Sequence, residues 1–194
     1  MSRLPSAAWT VRQFLDQLGS AKPVPGGGSA AAMAAALGVE LGNKVGRIVL
    51  SRRRLSPMAK RRIQRDLKTL AKASTELRRL IREDSQAYSQ LIRALANKRG
   101  ISAATTQRLH LVRPPLAAAR RRAIQCPLRI CEAAVQGMRV LRGFSASAGP
   151  YLASDLESAE ALLQGSFRAA RLMVEVNLRT GLATPREPRC EAGS

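Results

Sequence analysis

The chain has 194 residues, long enough for one domain with a real core, and only 3% of them are aromatic. Ala, Leu and Arg dominate, which argues against a strand-rich fold and for helices, since β-branched and aromatic strand formers are sparse. A formal net charge of +20 attracts polyanions, while Cys126, Cys131 and Cys190, with no C-x-x-C pair, and the lone His110 argue against a disulfide framework, a zinc site or a Ser-His-Asp triad.

No run of about eighteen apolar residues exists, so no membrane span is expected. Met1-Ser2-Arg3-Leu4-Pro5 lacks an apolar targeting core, and the expected location is the cytoplasm. Thr10 caps a short first helix, with Gln13 completing a capping box and Val11, Phe14, Leu15 and Leu18 on its apolar face. Pro23-Val24-Pro25 then gives an extended entry to Gly26-Gly27-Gly28-Ser29. Ser29 reads as the N-cap of a helix over 30–49. Such a glycine loop is either a plain tight turn or a cradle of free N–H groups for an anion or a carbonyl. Ala30, Ala34, Gly38, Gly42 and Gly46 recur every four residues as a bare stripe that admits another helix closely.

Ser56 and Pro57 open a long helix that runs to Ala96. Its narrow seam contains Ile63, Leu67, Leu70, Leu77, Ile81, Leu91 and Leu95, and is interrupted by Ser74 and Asp84. A serine there can simply bond back to its own helix. A carboxylate needs a partner, a shifted pKa or water, so Asp84 is either ion-paired to one of many arginines or placed at a cleft. Pro114-Pro115 break the chain, and helix resumes at Leu116 past an exposed Arg120-Arg121-Arg122. Pro127 is expected to open a new turn, with Leu128, Cys131, Val135 and Met138 buried after it. A loop is expected over 143–151, then a last helix capped by Ser154 with Glu157, carrying Leu156, Ala159, Leu163, Ser166, Ala170, Val174 and Asn177 on one face. The stretch 181–194 reads as a disordered tail after a single domain over 1–180. The elements together predict an all-α antiparallel multi-helix bundle with two long helices, and the bare stripe suggests a homodimer.

Several of these stretches are similar to one family. Pro25-Gly26-Gly27-Gly28-Ser29 before an Ala/Gly-rich helix, Asp84-Ser85-Gln86-Ala87-Tyr88 and Pro127-Leu128-Arg129-Ile130-Cys131-Glu132 resemble the formiminotransferase-cyclodeaminase C-terminal domain family. Pro150, Ser154 and Asp155 match its G-N-P-N-A-x-S-D element, and Asn177-Leu178 its I-N-L ending. Gly149, Tyr151 and Met173 stand where the family has asparagines, and Arg82 where a second acidic residue often stands.

The resemblance implies a helical homodimer and a tetrahydrofolate substrate carrying one carbon at N5 or bridging N5 and N10. It implies formiminotetrahydrofolate cyclodeaminase or methenyltetrahydrofolate cyclohydrolase activity, with no metal or redox cofactor and with Asp84 as the catalytic residue. A carboxylate suits both reactions, because each passes through a tetrahedral carbon flanked by nitrogen and needs a proton shuttled. Gly26, Gly27, Gly28 and Ser29 would bind substrate through backbone N–H groups. Ser154, Asp155 and Asn177 would line the site, and Arg52 and Arg53 would take a glutamate or polyglutamate tail. The alternative is a degenerate paralogue that acts as a scaffold, with non-specific RNA or polyanion binding; its basic runs lack interleaved aromatics for stacking.

Overall fold

A computed structural model describes residues 9–52, 55–98 and 115–179. Five helices appear and, among the described residues, no strand: α1 (Val11–Leu18), α2 (Gly27–Leu50), α3 (Pro57–Lys98), α4 (Leu116–Ala148) and α5 (Pro150–Arg179). The tail expected from residue 181 lies outside the described residues. Among the described residues no helix is long and apolar enough to cross a membrane.

Side-chain contacts fix the directions. Ser29 meets Ile81 while Glu40 meets Ser74, so α2 and α3 are antiparallel. Ser166 donates to the Ala31 carbonyl while Lys44 pairs with Asp155, so α2 and α5 are antiparallel as well. Arg129 reaches Glu83 and Arg122 reaches Gln90, which sets α4 against α3. The four long helices therefore alternate in direction, with α2 the most buried. The glycine stripe explains the tightness. A Cβ at Gly38 would lie 2.9 Å from the Ala159 carbonyl oxygen, at Gly42 2.6 Å from Leu141, and at Gly46 2.8 Å from Leu67. The stripe thus finds its partners within the chain, not in a second copy. Around it Val39, Val45, Leu70, Leu77, Leu80, Ile130, Phe144, Leu152 and Leu163 are fully buried, each side chain contributing about 1.5–3 kcal/mol of transfer free energy.

Local signals hold at two helix starts. Thr10 and Gln13 form the reciprocal capping box, and Ser56 accepts from the Ala59 N–H ahead of Pro57. Elsewhere tertiary contacts override them. Ser29 is not a cap: Gly26 is the cap residue, and Ser29 lies fully buried in the first turn of α2. Pro127 opens no turn but lies inside an unbroken α4. With that register the buried face is Ile130, Ala133, Ala134, Val140, Leu141 and Phe144, whereas Leu128 is 42% exposed. The expected loop over 143–151 shrinks to Gly149, whose φ of 69° suits glycine, and α5 starts at Pro150. Ser154 therefore sits in the second turn and caps nothing.

Candidate functional site

The prolines before α2 bring its first turn against the middle of α3. Gly28 makes the contact possible: a Cβ there would lie 2.1 Å from Asp84 Oδ1 and 2.4 Å from its Cγ. The carboxylate is thus laid on bare backbone at the positive end of α2, where the first N–H groups have no helical partner. Beneath it Ser29 Oγ stands 3.2 Å from Asp84 Oδ2, 2.9 Å from the Ile81 carbonyl oxygen and 2.9 Å from Ser85 Oγ. Burial pushes the Asp84 carboxyl above its usual pKa, and the Ser29 hydroxyl and N–H hold it back in part.

The Ser29 hydroxyl carries one proton for these neighbours. When it donates to Asp84, it favours the anion. When it donates to the Ile81 carbonyl, Asp84 bonds to it only as the protonated acid. Both arrangements satisfy the buried oxygens, so the carboxyl can gain or release a proton without stranding a polar atom.

Asp84 opens into a cavity of about 240 Å³ walled by α2, α3, α4 and α5. Gly26, Gly27 and Gly28 line one side, Tyr88 and Met173 give apolar walls, and Asn177 supplies a second polar group. Met173 packs on Gly27, where a Cβ would lie 3.2 Å from its sulfur. Asn177 donates through Nδ2 to the Ala123 carbonyl at 2.7 Å.

The remaining sequence-derived candidates lie elsewhere. Asp155 pairs with Lys44 at 2.8 Å, and Ser154 is exposed beside it. Lys44 is sixteen residues beyond Gly28, roughly 24 Å along α2. Arg52, further still, donates to the Ser147 and Ala148 carbonyls and so caps the end of α4. Arg53 lies outside the described residues. Ser74 bonds to Glu40 at 2.6 Å, which with Asn43 and Arg78 holds that carboxyl below its usual range despite its partial burial. Within one chain, then, Gly26, Gly27, Gly28, Ser29, Asp84 and Asn177 come together, and Arg52, Ser154 and Asp155 do not.

Sequence reasoning missed Ser85, and it noted Met173 only as standing in place of a family asparagine, not as a wall of the site. Ser85 was detectable, since Ile81, Asp84, Ser85 and Tyr88 share one helical face. A larger open groove of about 770 Å³ is lined by Lys72, Glu76, Arg129, Glu132 and Arg139. Its Arg129 is already paired with Glu76 and Glu83. Among the described residues no three His, Cys, Asp or Glu side chains stand close enough to hold a metal ion.

The chain is similar to known proteins of one family. Residues 10–181 match the sequence model of the formiminotransferase-cyclodeaminase family. The chain is 26% identical over 170 residues to the formimidoyltransferase-cyclodeaminases of Rattus norvegicus and Mus musculus. That match covers 88% of this chain and 30% of each relative, so the chain spans under a third of their length. The crystal structure of formiminotetrahydrofolate cyclodeaminase from Thermotoga maritima superposes with a TM-score of 0.75 at 20% identity, covering 89% of this chain and 80% of that one, and so shares its fold.

Proposed function

The chain belongs to the formiminotransferase-cyclodeaminase family, and from that premise we propose that it is a folate one-carbon enzyme with Asp84 as general acid/base. In cyclodeamination N10 of a 5-formiminotetrahydrofolate attacks the carbon of its protonated formimino group. Asp84 takes up the proton released at N10 and passes it to the departing amine, so ammonia leaves and the methenyl bridge closes. In cyclohydrolysis the same carboxylate takes a proton from the water that adds to the methenyl carbon and returns it to N5 as the bridge opens, while the remaining hydroxyl proton leaves to solvent as the formyl carbonyl forms. Positioned proton transfer of this kind contributes about 10²–10⁴-fold.

The observation that carries the reading is the Asp84 carboxyl itself: half-buried, set on the first turn of α2, and facing a cavity with apolar walls. The cavity of about 240 Å³ is smaller than the roughly 300–1,000 Å³ usual for a whole drug-sized ligand. It suits the ring end of a folate with the glutamate tail outside. Backbone N–H groups of Gly27 and Gly28 would hold an electron-rich part of that ring, and the chemistry asks for no metal or redox group. The experiment is turnover of both substrates, read as ammonia release from 5-formiminotetrahydrofolate and as loss of near-UV absorbance from methenyltetrahydrofolate. Activity on the first assigns a cyclodeaminase, on the second a cyclohydrolase, and activity on neither removes the proposal.

The proposal includes a homodimer, since Tyr88, Ile92 and Val176 expose apolar surface at and beside the cavity rim. Tail binding by Arg52, and any part for Ser154 and Asp155, would then come from the second copy. A monomer by light scattering at micromolar concentration removes that clause. A second reading, a non-catalytic scaffold that binds RNA or another polyanion, is favoured by Arg61, Arg65, Lys68 and Lys72, all exposed along one face of α3. It predicts RNA binding that collapses between low and moderate salt, together with no folate turnover.

A further inference from the structure

Pro127 is buried inside α4 and has no N–H for the Ala123 carbonyl one turn earlier. That carbonyl accepts instead from Asn177 Nδ2, 54 residues away, at 2.7 Å. Ala123 and Asn177 both line the cavity into which Asp84 opens. A carbonyl only accepts, so the amide orientation is set: Nδ2 is on Ala123, and Oδ1 is the end left for other contacts.

From this juxtaposition we infer that Pro127 is a positioning residue: by freeing the Ala123 carbonyl it pins the Asn177 amide, which presents Oδ1 to the cavity as a fixed hydrogen-bond acceptor. An unpinned asparagine can turn either end of its amide to a ligand, and so accepts carbonyls and N–H groups alike. A pinned one selects an N–H donor, because a carbonyl brought against Oδ1 would be desolvated without a partner. The identity of the donor rests on the folate reading, where the pteridine ring offers amino and ring N–H groups. The pinning itself does not depend on that reading. A proline merely tolerated in a helix would have the same neighbours, and restoring an N–H at that position separates the two explanations.

The test is Pro127→Ala, with Asn177→Asp as the second variant. Alanine returns the N–H to Ala123 and removes the helix penalty of proline, so the Tm is expected to rise by roughly 5 °C. Asn177 is one of three asparagines, which makes its side-chain N–H signals assignable after asparagine-selective ¹⁵N labelling. Those protons should lose at least about tenfold of their exchange protection in Pro127→Ala. The KM for the folate should rise about tenfold with kcat within about threefold, the size of one lost hydrogen bond. Asn177→Asp keeps the shape but cannot donate to Ala123, and should raise KM similarly. Unchanged protection overturns the inference, as does an unchanged KM in a stabilised Pro127→Ala protein. If the wild type turns over no folate, the proposed activity falls, and the exchange comparison still decides whether Pro127 sets the amide.

Discussion

Replacing Gly28 with alanine should invert its usual effect on a helix. By propensity alone the change stabilises by up to about 1 kcal/mol. Here the new Cβ would lie 2.1 Å from Asp84 Oδ1 and 2.5 Å from Oδ2, far inside van der Waals contact. The carboxyl must move off the first turn, losing its hydrogen bond to Ser29, worth about 1.5–3 kcal/mol for a charged acceptor. Overpacking adds about 1–3 kcal/mol. The net expectation is a loss of about 2–5 kcal/mol, read as a lower urea midpoint at constant m. In an Asp84→Ala background the obstacle is gone, and Gly28→Ala should be neutral or stabilising. The double-mutant cycle therefore has a coupling of at least about 2 kcal/mol with a change of sign. Equal effects of Gly28→Ala in both backgrounds would refute the packing of Asp84 on α2.

The same geometry sets three further outcomes. Ser29→Ala removes a hydroxyl donor that favours the anion, so the Asp84 carboxyl should rise further and the acid limb of the kcat/KM profile should move to higher pH; an unmoved limb counts against the contact. Burial raises the Asp84 pKa above 3.8, so between 3.8 and the raised value the folded chain holds more protons than the unfolded one. Stability from this group is full below 3.8 and is lost as pH rises through the folded value, so Asp84→Asn should gain on the wild type as pH climbs through that window; a constant difference in urea titrations would contradict it. Arg52→Ala removes the cap on α4 and should lower the Tm by a few degrees without changing turnover of a monoglutamyl folate, and a KM increase confined to polyglutamylated substrate would assign the tail to Arg52 of a second copy; an unchanged Tm counts against the cap.

The parts legible in the sequence are those written over a few turns of chain. The Thr10–Gln13 box, the Ser56-Pro57 start and the seam through Ile63, Leu70, Leu77 and Ile81 depend on near neighbours, and all appear in the fold. Asp84 stood out because charge in an apolar seam is costly, and it does lie against the glycine triplet. What escaped depends on distant residues. Ser29 has the composition of a cap, yet missing side chains at Gly27 and Gly28 let α3 and Met173 close over that turn. Pro127 ought to break a helix, yet it lies inside an unbroken α4, where Asn177 donates to the carbonyl it strands. Asp155 matches a family element, yet within the chain it lies far from Asp84, since its Lys44 partner sits far down α2.

The central claim is that Asp84 moves a proton on a folate. The direct measurement is single-turnover rate with saturating 5-formiminotetrahydrofolate and with methenyltetrahydrofolate, for wild type and Asp84→Asn side by side. At least one substrate should react with the wild type, and Asp84→Asn should slow it by about 10²–10⁴-fold while the helical circular dichroism is retained. A folded Asp84→Asn protein that reacts within a few-fold of the wild type contradicts the claim.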